Sequence, residues 1–443
     1  MASARDRDHE PPIPAAVAGS PIPRQFARTD ASARLGQSEP RRVVDAAFDR
    51  RPIRDLLARA AGDPDRAMEY FFARLFADHP DLRGLFPYSM TQTRASVFGM
   101  LAVLVRQLDD EHETSRALAM IARDHRKFGV REKHYRPFFD ALLALAEHVA
   151  GPAWSAHSAV AWRSAVEYFA AVMADAAAED ARLRPAWWTG EIVQHDRRTD
   201  TVAVLTIKPD RLVSYEPGQY LAVQAPRWPR IWRNYSIANA PRENGLIDLH
   251  VRAVPGGMVS TALVSHCAAG DVLLLGAARG DLRPPADPAA DLVCVAGGTG
   301  LAPVKAIIET VVSVARQGRR RSITLYAGAR RSRDLYDMRD LEALRRAYPS
   351  LTVIPVAEHE AEFDGRVGRL PEVVKSHPSF RDCDVYIAGP AGLITATMRA
   401  LGRRVPAERL HHDSIEALQF ARRPTWHETL TSPTGGPAAG RGT

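Results

Sequence analysis

An arginine, a tyrosine and a serine fall within four residues of one another in Trp232-Arg-Asn-Tyr-Ser-Ile-Ala-Asn-Ala-Pro241. The stretch brings a cation, a flat ring and a hydroxyl together, which suits a cofactor carrying a phosphate, a planar ring system and ring heteroatoms. Read bare, it is equally an ordinary strand with a surface arginine. Two glycine segments downstream add phosphate chemistry. Pro255-Gly256-Gly257-Met-Val259-Ser260 reads as a turn opening a helix, whose free N–H groups would meet a pyrophosphate. Leu292-Val-Cys-Val-Ala-Gly297-Gly298-Thr299-Gly300-Leu-Ala-Pro303 is an apolar strand, a glycine loop and a helix start. That is the context a dinucleotide-binding loop requires. Upstream, His125 shares a helix face with Leu118 and Ile121, one turn before Gly129. A histidine so placed is either a satisfied core residue or an axial imidazole beside a flat haem.

The elements that must position these residues divide the chain. Residues 1–44 and 421–443 are rich in small and polar residues without apolar period, and read as disordered tails. Residues 45–184 are helical throughout. Asp63-Pro64 is a cap and a first-turn proline, and Met68, Phe71, Phe72, Leu75 and Phe76 form one apolar face. After the corner Leu85-Phe86-Pro87, helices are expected over about 92–108, with Val97, Leu101 and Leu104 inward, and over 114–127, 136–150 and 155–180. Residues 185–288 change to short β-rich runs separated by Pro and Gly (201–208, 219–225, 233–238, 246–253 and 271–275), which predicts a small antiparallel barrel. Residues 289–420 alternate apolar strands (292–296, 323–327, 352–356, 385–388) with helices. The last strand runs into Ala388-Gly389-Pro390-Ala-Gly392, and the pattern predicts a doubly wound α/β domain.

The segment Phe71–Phe76, then Leu85-Phe86-Pro87, then Ala122-Arg-Asp-His125 and Tyr135, resembles the globin domain of bacterial flavohaemoglobins. The resemblance implies that Phe86 is the corner ring packed on haem b, that His125 is the proximal iron ligand, and that Tyr135 and Glu179 hydrogen-bond around it. A carboxylate pulling on the imidazole N–H would push electron density onto the iron; alone, Glu179 is also read as a solvated residue at a helix end. Phe72 stands where the family has a distal tyrosine, and Thr93 where it has a glutamine. Tyr70 and Gln92 lie beside them as alternative donors. The two segments after residue 230 are similar to the flavin signatures of the ferredoxin reductase family. The likeness implies that Arg233 meets the FAD pyrophosphate, that Tyr235 packs on the isoalloxazine, that Ser236 bonds near N5, and that the Gly256–Ser260 turn cradles phosphates. The Gly389-Pro390 turn would lie beside the nicotinamide of NAD(P)H. Arg330, Arg331 and Arg333 offer a seat for a 2′-phosphate, but Asp334-Leu-Tyr336 resembles NADH-using oxygenase reductases, and NADH is the expected donor.

The whole implies a multidomain oxidoreductase passing electrons from NAD(P)H through FAD to haem iron, with nitric oxide dioxygenation as the family reaction. Two alternatives stay open: a gas or redox sensor that its reductase resets, and a reductase for an outside acceptor. Net charge is +7, but no basic patch is interleaved with aromatics, so no nucleic-acid partner is expected. No apolar run approaches the roughly 18 residues of a membrane span. Three scattered cysteines (Cys267, Cys294, Cys383) argue against disulfides and iron–sulfur clusters. With no secretory signal read at the N-terminus, a cytoplasmic monomer or dimer acting on oxygen, nitric oxide and NAD(P)H is expected.

Overall fold

A computed structural model describes residues 48–287, 290–315, 321–360 and 362–413. The two tails expected from composition, 1–44 and 421–443, lie outside the described residues, as do 45–47 and 414–420.

Among the described residues six α-helices come first: α1 (Arg51–Ala60), α2 (Pro64–Asp78), α3 (Thr91–Gln107), α4 (Glu111–His125), α5 (Tyr135–Ala150) and α6 (Ala156–Leu183). Local chemistry sets their ends. Asp63 accepts the Arg66 N–H with Pro64 at the first helical position, and Asp110 and Ser155 cap α4 and α6 in the same way. A 3₁₀ turn (Arg126–Phe128) follows α4 and stops at Gly129, whose φ of +83° is left-handed and suits glycine. Phe71, Phe98, Met68, Leu75, Leu118 and Leu145 are the largest fully buried side chains of this unit. Burying each such side chain is worth about 1.5–3 kcal/mol, more than the fractions of a kcal/mol set by helix propensity.

Next comes a six-stranded antiparallel sheet, β1 (Trp188–Arg197), β2 (Val202–Pro209), β3 (Tyr220–Gln224), β4 (Arg233–Ser236), β5 (Ile247–Arg252) and β6 (Val272–Leu275), in the order β4-β3-β6-β1-β2-β5. A bridge between Ile237 and Leu249 brings its two edges together and nearly closes a barrel. β1 was not among the expected strands; it alternates buried and exposed residues only as far as Ile192, where the register shifts. Helix α7 (Met258–Ser265) plugs one end, with Val259, Ala262 and Leu263 in the barrel core.

The last part is a parallel sheet, β7 (Asp291–Gly297), β8 (Ile323–Ala329), β9 (Leu351–Ala357), β10 (Arg366–Val367), β11 (Cys383–Ala388) and β12 (Leu410–His412), in the order β10-β9-β8-β7-β11-β12. Helices α8 (Leu301–Ala315), α9 (Met338–Ala347), α10 (Leu370–Lys375) and α11 (Ala391–Leu401) flank it. β7 and β11 are neighbours, so their two glycine-bearing ends emerge side by side at the carboxyl edge, where such sheets bind ligands. Among the described residues no helix is long and apolar enough to cross a membrane.

Candidate functional site

In the helical unit, α2 and the corner after it build an aromatic pocket wall. Phe72 is 4% exposed, and its ring meets Phe86 edge to face at 5.4 Å; Phe76 meets Phe86 at the same distance. Tyr70 lies two residues away, on another face of the helix, and stacks on His148 at 3.9 Å. Gln92 is exposed and accepts a hydrogen bond from Arg233 at 3.3 Å. The Tyr70 ring and the Gln92 amide oxygen thus have partners away from Phe72, which faces the corner ring. Thr93 and Val97 are half-buried one turn apart on α3, with Val97 packed on the helical core.

His125 ends α4, half-buried, with the Phe128 ring 6.2 Å away. Burial pushes its pKa down, so the ring is neutral near neutral pH and keeps a lone pair for a metal. Tyr135, the first residue of α5, is buried, and its hydroxyl has no hydrogen-bond partner among the described residues; burial raises its pKa to about 12. An unpartnered buried hydroxyl costs roughly 1–3 kcal/mol, which fits a site completed by a bound group. Glu179 pairs with Arg123 at 3.2 Å, two residues before His125. Its neighbour Asp180 is the buried carboxylate of this helix end, paired with Arg126 and with Arg184 at 2.6 Å. Sequence reasoning missed Asp180, although the phase of α6 points to it. Buried Val172, Met173, Ala176 and Ala177 recur at helical spacing, and 180 rather than 179 continues that face.

In the barrel, Tyr235 pairs across the ladder with Leu221, and Ser236 with Tyr220. Burial raises the Tyr235 pKa well above the usual tyrosine value, so its hydroxyl stays protonated. Arg233 is exposed, and its guanidinium donates to the Trp232 carbonyl at 2.8 Å and to Gln92. Gly256 takes a left-handed φ of +71°, and Gly257 caps α7 with no side-chain hydrogen bond, leaving the first N–H groups of the helix for an anion. The Ser260 hydroxyl is spent on the turn itself: it donates to the Gly257 carbonyl at 3.2 Å and accepts from the Val254 N–H at 3.3 Å. Val259 lies in the barrel core.

In the parallel sheet, the loop Gly297-Gly298-Thr299-Gly300 crosses directly over the end of β11. A Cβ on Gly300 would overlap the Ala388 carbonyl and the Gly389 nitrogen, so only glycine lets the two strand ends close. Thr299 is half-buried and Pro303 is buried in the first turn of α8; Gly389 has a φ of +148°, and exposed Pro390 caps α11. A buried charge network ties this part to the barrel: Lys305 on α8 and Arg198 of the barrel both hold Asp337 and Asp340, at 2.7 and 3.5 Å for Lys305. Beside it, His250 and the Tyr336 hydroxyl meet at 2.8 Å. At the end of β8 an open cleft of about 680 Å³ is lined by Arg330, Arg331, Arg333, Arg369 and His359, against only Asp334 and Glu358.

Three comparisons bear on this geometry. The Globin family matches residues 69–173, the oxidoreductase FAD-binding domain residues 190–283, and the oxidoreductase NAD-binding domain residues 294–399. The electron transfer component of xylene/toluene monooxygenase from Pseudomonas putida is 31% identical over 246 residues, 55% of this chain and 68% of the relative. An NAD(P)H-flavin reductase of Aliivibrio fischeri is 32% identical over 42% of this chain and 79% of its own length. The chain thus belongs to the FAD- and NAD-binding oxidoreductases and carries a globin domain in front. In fold and in the order of its parts it resembles a flavohaemoglobin. A flavohaemoglobin from Malassezia yamatoensis shares the fold of 82% of this chain and 97% of its own, with a TM-score of 0.65 at 18% identity.

The crossing at Gly300 yields a paired prediction for this oxidoreductase. Gly300→Ala is expected to abolish NAD(P)H-driven bleaching of the flavin, because the methyl must push two strand ends apart. Gly392→Ala, on open helix surface with nothing within 4 Å, is expected to leave the rate intact and to raise stability by about 0.5–1 kcal/mol. Parental flavin bleaching in Gly300→Ala would show that the loop is not held by that contact.

Proposed function

We propose that the chain is an NAD(P)H-dependent nitric oxide dioxygenase. When bound, FAD accepts a hydride from NAD(P)H and releases electrons singly to haem iron, where oxygen and nitric oxide combine to nitrate. The observation that carries the reading is the proximity, in one chain, of an unpartnered neutral histidine and a flavin-type strand reached through two packed rings. The residues supply holding and shielding. His125 would hold the iron, with the Tyr135 hydroxyl free to orient that ring and Glu179 a turn away on the Arg123 side. Phe86 and Phe72 would wall the haem and keep water out, with Thr93 and Val97 on the opposing helix. Arg233 and the N–H groups following Gly256 and Gly257 would bind the FAD phosphates, with Tyr235 against its ring and Ser236 near N5. Gly297–Gly300 would seat the nucleotide, and Gly389-Pro390 would face its nicotinamide.

A reading as a reductase for an outside acceptor is supported by likeness to a monooxygenase electron transfer component. Nitrate production with nitric-oxide-dependent NAD(P)H consumption by the purified chain separates the two. The dioxygenase reading expects both, and expects both to vanish with the Soret band in His125→Ala while flavin stays bound. A His125→Ala chain that retains its haem spectrum would overturn the proximal assignment.

Phe72 gives a second prediction. It cannot donate a hydrogen bond to a partly anionic ligand, a contact worth roughly 1.5–3 kcal/mol. Phe72→Tyr is therefore expected to slow oxygen dissociation about ten- to a hundredfold by stopped-flow, at roughly 1.4 kcal/mol per decade. An unchanged off-rate would place the ligand against another side chain.

The arginine-lined cleft bears on the donor and argues for the phosphorylated nucleotide rather than NADH. Arg330 stands at the strand end where a 2′-phosphate would meet it, and a guanidinium–phosphate contact is charge-assisted. Arg330→Ala should lower kcat/KM for NADPH by about tenfold or more while leaving NADH nearly unaffected. A parent chain that strongly prefers NADH, with no selective loss in the variant, refutes this.

A further inference from the structure

The helical unit meets the barrel beside His125. Asp124 receives the Lys127 ammonium on both carboxylate oxygens, at 2.7 and 2.8 Å, and Arg279 of the barrel at 3.3 Å. The Lys127 ammonium in turn lies 5.2 Å from the Phe128 ring and 5.9 Å from the Trp232 ring. Those two rings meet edge to face at 6.3 Å. Phe128 also faces the His125 imidazole. Trp232 is 8% exposed and immediately precedes β4. Packed rings thus run from His125 through Phe128 to the residue before the flavin-type strand.

Other links between helical unit and barrel are of a different kind. Arg233 to Gln92 and Arg230 to the Phe86 carbonyl are exposed and long, at 3.3 and 3.5 Å. Contacts of that sort add little. The buried contact forms only where the two cofactor-bearing segments converge. Its cation is nearly shut off from water, with the Lys127 side chain 11% exposed, and a desolvated cation over an indole face is the strongest form of that interaction. The indole N–H is buried with no hydrogen-bond partner among the described residues, and the contacts the ring does make are with Phe128 and Lys127. What the position uses is the area and the face of the ring.

We infer that Trp232 is the positioning residue for electron passage from the reductase to the globin: seated on Phe128 and Lys127, it fixes the separation between the flavin strand and the His125 turn. The inference rests on the proposed function. The first passage oxidises the reduced flavin by one electron and takes the ferric iron to ferrous. The second electron of the hydride leaves once oxygen and nitric oxide, combining to nitrate, have returned the iron to ferric, and the flavin proton goes to solvent.

The test uses the full chain loaded with haem and FAD, mixed anaerobically with the reduced nucleotide, with flavin bleaching and the Soret shift followed separately. Trp232→Leu is expected to leave flavin bleaching at the parental rate and to slow haem reduction by roughly ten- to a hundredfold, the scale on which misplacement by about 1 Å acts. Trp232→Phe, which keeps a ring on Phe128 and Lys127, is expected to restore most of that rate. A second readout needs no cofactor: amide hydrogen exchange over residues 124–129 of the stripped chain should quicken in Trp232→Leu and stay parental in Trp232→Phe. An unchanged haem phase in Trp232→Leu overturns the inference, as does equal slowing of both phases, which would assign Trp232 to the flavin seat alone. A parent chain whose flavin bleaches while its haem never responds overturns the proposed function itself, and the inference with it.

Discussion

One carboxylate joins the two halves of this molecule. Asp124 is shared between Lys127 of the helical unit and Arg279 of the barrel, and it adjoins the histidine that the site is built around. Burial alone would raise its pKa, yet the two cations hold it below the ordinary aspartate value, so it stays ionised. A charge removed from water is costly unless well paired, and removing one partner of such a set costs several kcal/mol because the others are left uncompensated. The pairing therefore favours one docking arrangement over sliding alternatives. With it fixed, the rings of Phe128 and Trp232 meet and the flavin-type strand faces the His125 turn. A second buried charge set, Lys305 and Arg198 around Asp337 and Asp340, does the same between barrel and nucleotide-binding sheet. Two partly buried ionic clusters thus mark the two junctions, and at the second one Val202, Val204 and Leu282 of the barrel also share an apolar core with Val304 and Ile307 of α8.

Each part then contributes a preformed half-site. The globin offers an imidazole that burial keeps neutral, the barrel a strand and an uncapped helix start, and the parallel sheet two glycine turns at adjacent strand ends. Their order in the chain is the reverse of the proposed electron flow, with the nucleotide end last and the iron end first. The barrel in the middle touches both neighbours, which is where a carrier able to hold one or two electrons must sit.

Much of this was legible from residue order because it is local chemistry. Asp63-Pro64 starts a helix, Gly129 stops the turn after His125, and the glycines of 297–300 between an apolar strand and a helix mark a nucleotide-binding loop. β1 was not legible: after Ile192 its alternation breaks at a register shift, and Val193 and Gln194 are both exposed, so the run reads as linker. Short β10 and β12 carry too few residues to show a period, and they exist because the neighbouring strands template them. Asp180 was hidden by a choice between adjacent carboxylates that only helix phase decides. Contacts between the parts, Asp124 with Arg279 or Lys127 with Trp232, leave no periodic trace, since they depend on how finished domains dock.

The central claim is that electrons entering at the nucleotide sheet reach the globin iron within one chain. Its most direct measurement is the rate of haem reduction under carbon monoxide after anaerobic mixing with reduced nucleotide, taken across a wide range of protein concentrations. The account predicts a first-order rate that does not change with concentration, ending in the full ferrous–carbon monoxide spectrum. A rate proportional to protein concentration, or a flavin that bleaches while the haem stays ferric, would contradict it.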